Sequence, residues 1–249
     1  MFKRAIFIIM TLVSLGLLGG CITNGHLDAV GDLYTAATIS KEELIQLSKN
    51  MRAQGDKENK VAMGDNKYAV RLARLTNKLK KEDGLDLNFK AYIADDVNAN
   101  ATADGSIRVY TGLMDIMTDN ELFFVIGHEV GHVKGGDSLD KVRMAYASSG
   151  AIKAASALAS GSGYGLSNSQ LSGLLYKVLN AQFSQSQESD SDAYGYELMK
   201  KYKVDSKAAV SALKKLNSLG ASGGVMSSHP NSGDRAAAIQ AKIDADKKK

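Results

Sequence analysis

The chain has a single cysteine, Cys21, so no intramolecular disulfide is available to staple the fold. It also lacks an excess of one charge: the net value is +4, falling to +2 once Lys3 and Arg4 leave with an N-terminal signal. That balance gives no electrostatic footprint for nucleic acid, and no nucleic-acid partner is expected. Long hydrophobic runs are missing too. The most apolar stretch, "AIFIIMTLVSLGLL" at 5–18, is too short to span a bilayer comfortably. A second candidate, "MAYASSGAIKAASALASGSGYGLSNS", contains Lys153 and too many serines for a membrane hairpin. There is no internal repeat. What remains is 249 residues, 44% hydrophobic and 23% charged, enough for one globular domain with a sizeable core.

Lys3 and Arg4, the short apolar run and the small residues Gly19 and Gly20 form a secretory signal over 1–20. "LGGC" resembles the lipobox of bacterial lipoproteins. That resemblance implies acylation of Cys21 and membrane attachment through lipid rather than through a helix. Such lipoproteins stay in the inner membrane when aspartate follows the cysteine. Ile22 stands there instead, which implies the outer membrane, facing the periplasm. Residues 21–39 read as a lipidated tether, 40–246 as the folded domain, and 247–249 as a frayed basic tail.

Ser40 with Glu43 makes a capping box that starts a helix through "SKEELIQLSKNMRAQ". "GDKENKVAMGDNK" is a polar break. A second helix covers "YAVRLARLTNKLKKE", with Val70, Leu72, Leu75 and Leu79 near helical spacing. "LDLNFKAYIAD" alternates as a half-buried strand, and "SIRVYTGLM" is a second strand after an Asp104-Gly105 turn. One long helix is predicted over 168–202, then shorter ones over 206–219 and 232–246. Helices, a few strands, then helices define an α+β fold, mostly helical, with a small sheet.

The chemistry is concentrated in "FFVIGHEVGHVKGGDS". His128 and His132 are four residues apart, so on a helix both imidazoles leave one face. Buried imidazoles need partners, and two neutral ones cannot satisfy each other. A shared metal ion solves this, and His-Glu-x-x-His on a helix is the zinc-peptidase pattern. Thr118 with Glu121 is a capping box for that helix, and Gly135-Gly136 is its stop.

A catalytic zinc takes three protein ligands and leaves one position for water. The metzincin continuation fails, because Ser138 stands where a third histidine is required. The alternative is a glutamate from a later helix. "QESDSDAYG" offers Glu188 and Asp192 at i and i+4, the first as zinc ligand and the second to hold a ligand histidine by its other ring nitrogen. One zinc ion per chain is expected, held by His128, His132 and Glu188. Glu129 is no ligand; it is placed to act as general base on the attacking water.

"HEVGH" with downstream "ESDSD" resembles the gluzincin peptidases that include HtpX and the CAAX prenyl protease. "NANATADGSIRVYTGLMDIMTDNELFFVIGHEVGHV" and "FSQSQESDSDAYGYEL" are similar to an envelope lipoprotein of that family. The resemblance implies a zincin-like metallopeptidase domain, with the sheet beside the active-site helix, and a role in clearing misfolded envelope proteins. The family usually has alanine where this chain has Ser191. "SSHPNSGDR" resembles the family's His-Pro…Arg segment, which implies a zinc-blocking or substrate-binding His229 and an Arg235 paired with an acid of the active-site helix. The bland alternative for this segment is a helix-entry loop.

The strand "SIRVYT", through Ile107 and Val109, is a candidate sheet edge for an extended substrate backbone; the alternative is an internal strand, and the family resemblance favours the edge, so unfolded polypeptides are the expected partners. A rival from another class is a non-catalytic zinc-binding lipoprotein that assists envelope assembly. Glu129 argues against it, since metal binding alone has no need of that carboxylate. No motif announces the acidic pocket of an aminopeptidase, and none encodes an oligomeric state.

Overall fold

The computed structural model describes residues 39–148, 166–219, 224–229 and 232–248. The expected signal, Cys21 and the tether lie outside them, as does most of the Ala/Ser/Gly-rich stretch. Helix α1 (Lys41–Glu58) starts at the Ser40–Glu43 capping box and runs on through Glu58, into the segment expected to be a break. Helix α2 (Lys67–Thr76) follows, capped by Asn66, and then two 3₁₀ turns. Its Leu72 is buried, but Val70 is 54% exposed and takes no part in the core.

Three short strands come next: β1 (Asn88–Tyr92), β2 (Ala99–Ala101) and β3 (Ser106–Tyr110). Their order is β1-β3-β2, with β1 parallel and β2 antiparallel to β3. This corrects one expectation. The strand "SIRVYT" is the middle of the sheet, paired on both sides, so Ile107 and Val109 form no free edge. Both are fully buried. Among the described residues, β2 is the edge strand on the side away from β1. Its hairpin partner takes the centre because β1 crosses over to join the far side of β3.

Helix α3 (Thr111–Ile116) leads to α4 (Asp119–Gly135), then α5 (Asp137–Ser148). The predicted long helix over 168–202 is two helices, α6 (Asn168–Asn180) and α7 (Gln185–Lys201). Ser184 stops the continuation by capping α7, its side chain accepting from the Gln187 N–H while Gln187 bonds back to the Ser184 N–H at 2.9 Å. Helices α8 (Lys207–Ser218), α9 (Val225–Ser228) and α10 (Ser232–Asp246) follow among the described residues.

Helix α4 is the hub. Every residue from Glu121 to His132 is buried, so its polar groups are enclosed along with its apolar ones. One side carries the sheet face formed by Ala99, Ala101, Ile107 and Val109; α7 and α8 supply Leu198, Met199 and Leu213 to the same core. A second core joins α1, α5 and α6 through Leu44, Leu47, Met51, Tyr146 and Leu174. The fold is the mostly helical α+β arrangement expected, with its small sheet beside the histidine helix.

Candidate metal centre

Helix α4 begins at the Thr118–Glu121 capping box and ends at Gly136, whose φ of 82° places it in the left-handed region. The two histidines therefore sit in its last turns, on the face that meets α7. That meeting is unusually close. A Cβ built on Gly131 would lie 2.8 Å from the Ser191 Cα, and one on Gly195 would lie 3.1 Å from the His128 N. Glycine at these positions lets two helix backbones touch, which brings Glu188 within reach of both rings.

His128, His132, Glu188 and His229 are all buried, and their ligating atoms lie within 4.8 Å of one another. His128 Nε2 is 3.0 Å from His132 Nε2 and 3.1 Å from His229 Nδ1. Glu188 Oε1 is 2.8 Å from His229 Nδ1, 3.2 Å from His132 Nε2 and 3.8 Å from His128 Nε2. Four tetrahedral ligands at zinc distances of about 2.0–2.1 Å stand about 3.3–3.4 Å apart. The donor set, three imidazoles and a carboxylate, and its spacing both fit a zinc ion.

The surroundings prepare the rings for that task. His128 Nδ1 lies 2.9 Å from Asp192 Oδ1, and His132 Nδ1 lies 2.9 Å from Asp137 Oδ2 and 3.0 Å from Ser191 Oγ. With Nδ1–H donated outward, each ring turns an Nε2 lone pair to the centre. Burial pushes His128 below the usual histidine range and His229 down to about 4, both towards the neutral form that ligates. His132 moves the other way: burial opposes its charge, but Asp137 and Glu188 raise it. Burial likewise works against the Glu188 carboxylate, yet the imidazoles of His229, His128 and His132 hold it well below the usual range.

Arg235 grips Asp192 with two hydrogen bonds, Nε to Oδ2 and Nη2 to Oδ1, both 2.7 Å, and its Nη1 pairs with Glu188 Oε2. The expected partner on the active-site helix is thus corrected: both acids belong to α7, and what Arg235 meets on α4 is the ring of His128, 3.3 Å from Nη2. Glu129, also buried, is the exception to this pairing. Among the described residues neither of its oxygens has a hydrogen-bond partner, and Oε1 is 3.5 Å from His229 Nε2.

Sequence reasoning missed the roles of four residues. Asp137 follows the helix stop and reads as a surface acid until the left-handed turn at Gly136 folds it back to His132. Phe183, in the break between α6 and α7, stacks on His132 with centroids 3.6 Å apart and planes 6° apart. Its other face carries the Lys141 ammonium, 3.2 Å from the ring centre, and burial pushes that amine down to about 8. Ser191, read as a small departure from the family pattern, places its hydroxyl on His132. Tyr194 and Tyr196 hydrogen-bond Asp83 and Asp246, away from the centre.

Comparison with known proteins agrees with this geometry. The model of peptidase family M48 matches residues 66–243, a span that includes all four clustered residues. The chain is 36% identical to Metalloprotease LoiP of Escherichia coli strain K12 over 98% of both chains. It is also 36% identical to Metalloprotease YcaL of the same strain, over 97% of this chain and 98% of that one. A Protease HtpX homolog of Sulfurovum sp. is 36% identical over 30% of the chain and 29% of its own. This chain is a zinc metalloendopeptidase and belongs to peptidase family M48.

Proposed function

We propose that the enzyme cleaves extended, unfolded polypeptides in the bacterial envelope, with His128, His132 and Glu188 holding the zinc and Glu129 acting as general base. The observation that carries the mechanism is the state of Glu129: enclosed, on the same helical turn as His128, and with two carboxylate oxygens that accept no hydrogen bond among the described residues. Zinc, when bound, supplies a Lewis acid for the scissile carbonyl and a water acidic enough to give up its proton near neutral pH. Glu129 accepts that proton and returns it to the leaving amine. Asp192 and Asp137 keep the two imidazoles in the tautomer that points Nε2 inward. Arg235 pairs with both Asp192 and Glu188 and so ties them together across one turn of α7.

His229 fills the remaining side of the cluster, which supports the reading that it occupies the water position at rest and gives way for substrate. Edge pairing now falls to β2: an extended peptide is the ligand whose main chain can add to it, and folded proteins are excluded. Attachment through an acylated Cys21 is supported by the lipobox, and placement at the outer membrane facing the periplasm by Ile22 after it. Among the described residues no helix is long and apolar enough to cross a membrane.

Glu129→Gln tests the reading. The variant should retain one zinc per chain and lose casein cleavage by several orders of magnitude, because proton transfer rather than metal binding is removed. Undiminished cleavage would remove Glu129 from the mechanism. Undiminished function of that variant in the cell would favour the assembly-factor rival.

A further inference from the structure

The sheet is sandwiched between α4 on one face and α1 on the other, and the two contacts differ in kind. Towards α4 the strands present Ala99, Ala101, Ile107 and Val109, an apolar surface. Towards α1 they present a polar row. Arg52, 2% exposed, donates from Nη2 to Asn100 Oδ1 at 2.7 Å and from Nε to Thr102 Oγ1 at 3.2 Å. Ser48 Oγ donates to Asp104 Oδ1 at 3.0 Å and accepts from the Asp104 N–H at 3.3 Å. Asp56 takes Arg108 through Nε and Nη2, at 2.8 and 2.9 Å.

Ser48, Arg52 and Asp56 are spaced by four and share one helix face. Arg52 meets Asn100 on β2 and Thr102 just past its end, Ser48 meets Asp104 in the turn that follows, and Asp56 meets Arg108 on β3, so directional bonds tie α1 to the β2–β3 hairpin. The tie is costly: Arg52 has no direct ion pair among the described residues, and its Nη1 and the Asn100 Nδ2 are buried without partners. An apolar side chain would be buried more cheaply, as Leu47 and Met51 of α1 are against α5 and α6. Directionality is what the arginine adds.

What it directs is the edge strand. The Tyr110 N–H donates to the Asn98 carbonyl and the Thr102 N–H to the Ser106 carbonyl, and Asn100 is paired with Arg108. By alternation, the main-chain groups of Ala99 and Ala101 point away from β3, the row to which an added strand would bond. We infer that Arg52 is a positioning residue for substrate: from outside the 66–243 family core, it fixes the height of β2 over the Glu129 turn of α4, and so the register of the bound peptide. This rests on the reading that substrate pairs with β2.

The test uses the full zinc-loaded chain as wild type, Arg52→Met, Arg52→Lys and Asn100→Ala, with an extended quenched peptide that the wild type cleaves. Arg52→Met should keep its zinc, raise KM about fivefold and change kcat by less than about twofold, with Arg52→Lys recovering part of the KM. Asn100→Ala should reproduce the KM effect, which covers the case in which Arg52→Met does not fold. Amide hydrogen exchange at 98–102 should quicken in both, while α4 stays protected. Wild-type KM together with wild-type exchange would overturn the proposal, as would zinc, kcat and thermal midpoint falling together. Unchanged KM with quickened exchange at 98–102 would instead show that β2 is clamped but does not carry the substrate, which overturns it at the pairing step while leaving Glu129 and the zinc site untouched.

Discussion

The Nε2 atoms of His128 and His132 face one another at 3.0 Å in the interior, with the Nδ1 side of each ring committed to a carboxylate. Two lone pairs at that distance repel unless a cation lies between them. Chelation should therefore destabilise the fold as well as stop catalysis. With free zinc at about 1,000 times its Kd, the ion contributes about 4 kcal/mol. For a domain of this size that is a fall in Tm of roughly 10 °C on chelation, reversed by zinc, in differential scanning calorimetry. A Tm indifferent to chelator would contradict it.

Asp137→Asn should weaken zinc binding about 10–100-fold, because an uncharged amide holds the His132 Nδ1–H and raises the basicity of its Nε2 less than the carboxylate does. Asp192→Asn should do the same for His128 and in addition release Arg235. Competition with a chromogenic chelator reads both. Equal affinities in wild type and Asp137→Asn would assign Asp137 a merely local role at the α5 start.

Gly131→Ala asks whether the closeness of α4 and α7 matters. The added Cβ meets backbone, 2.8 Å from the Ser191 Cα, so the helices must part and Glu188 must retreat from the rings. The expected outcome is a loss of about 1–3 kcal/mol in stability and a clear drop in zinc affinity. Retention of zinc affinity at the wild-type value would show that the approach is incidental.

Much of this was local in the sequence. The capping boxes of α1 and α4 each lie within four residues, and the His128–His132 and Glu188–Asp192 spacings fix a helix face without any knowledge of the fold. The failures were non-local. The centrality of β3 depends on β1 crossing to its far side, which no alternation of side chains encodes. Asp137 is drawn back by the turn at Gly136, and Phe183 gains its meaning only once the α6–α7 break sets it against His132. Ser184 with Gln187 did carry a legible stop signal inside the predicted long helix, but apolar residues on both sides of it mimic continuity.

Acid should weaken the anchor between α4 and α8. Burial works against the charge of Glu121, yet bonds from Lys215, Ser211 and Thr118 hold its carboxyl down at about 2. Since the folded value lies below the ordinary 4.5, the stabilisation is present above pH 4.5 and is lost as pH falls towards 2. Glu121→Gln should lower Tm at pH 6, and the gap to wild type should close across that acidic window. A gap that persists at pH 2 would mean that the charge contributes nothing.

The central claim is that one zinc ion is held jointly by α4 and α7. A crystal structure of the zinc-loaded protein, with the ion placed by anomalous scattering, tests it most directly. The account predicts one ion about 2.0–2.2 Å from His128 Nε2, His132 Nε2 and a Glu188 oxygen. A fully loaded, folded protein in which Glu188 turns away from both rings would contradict it.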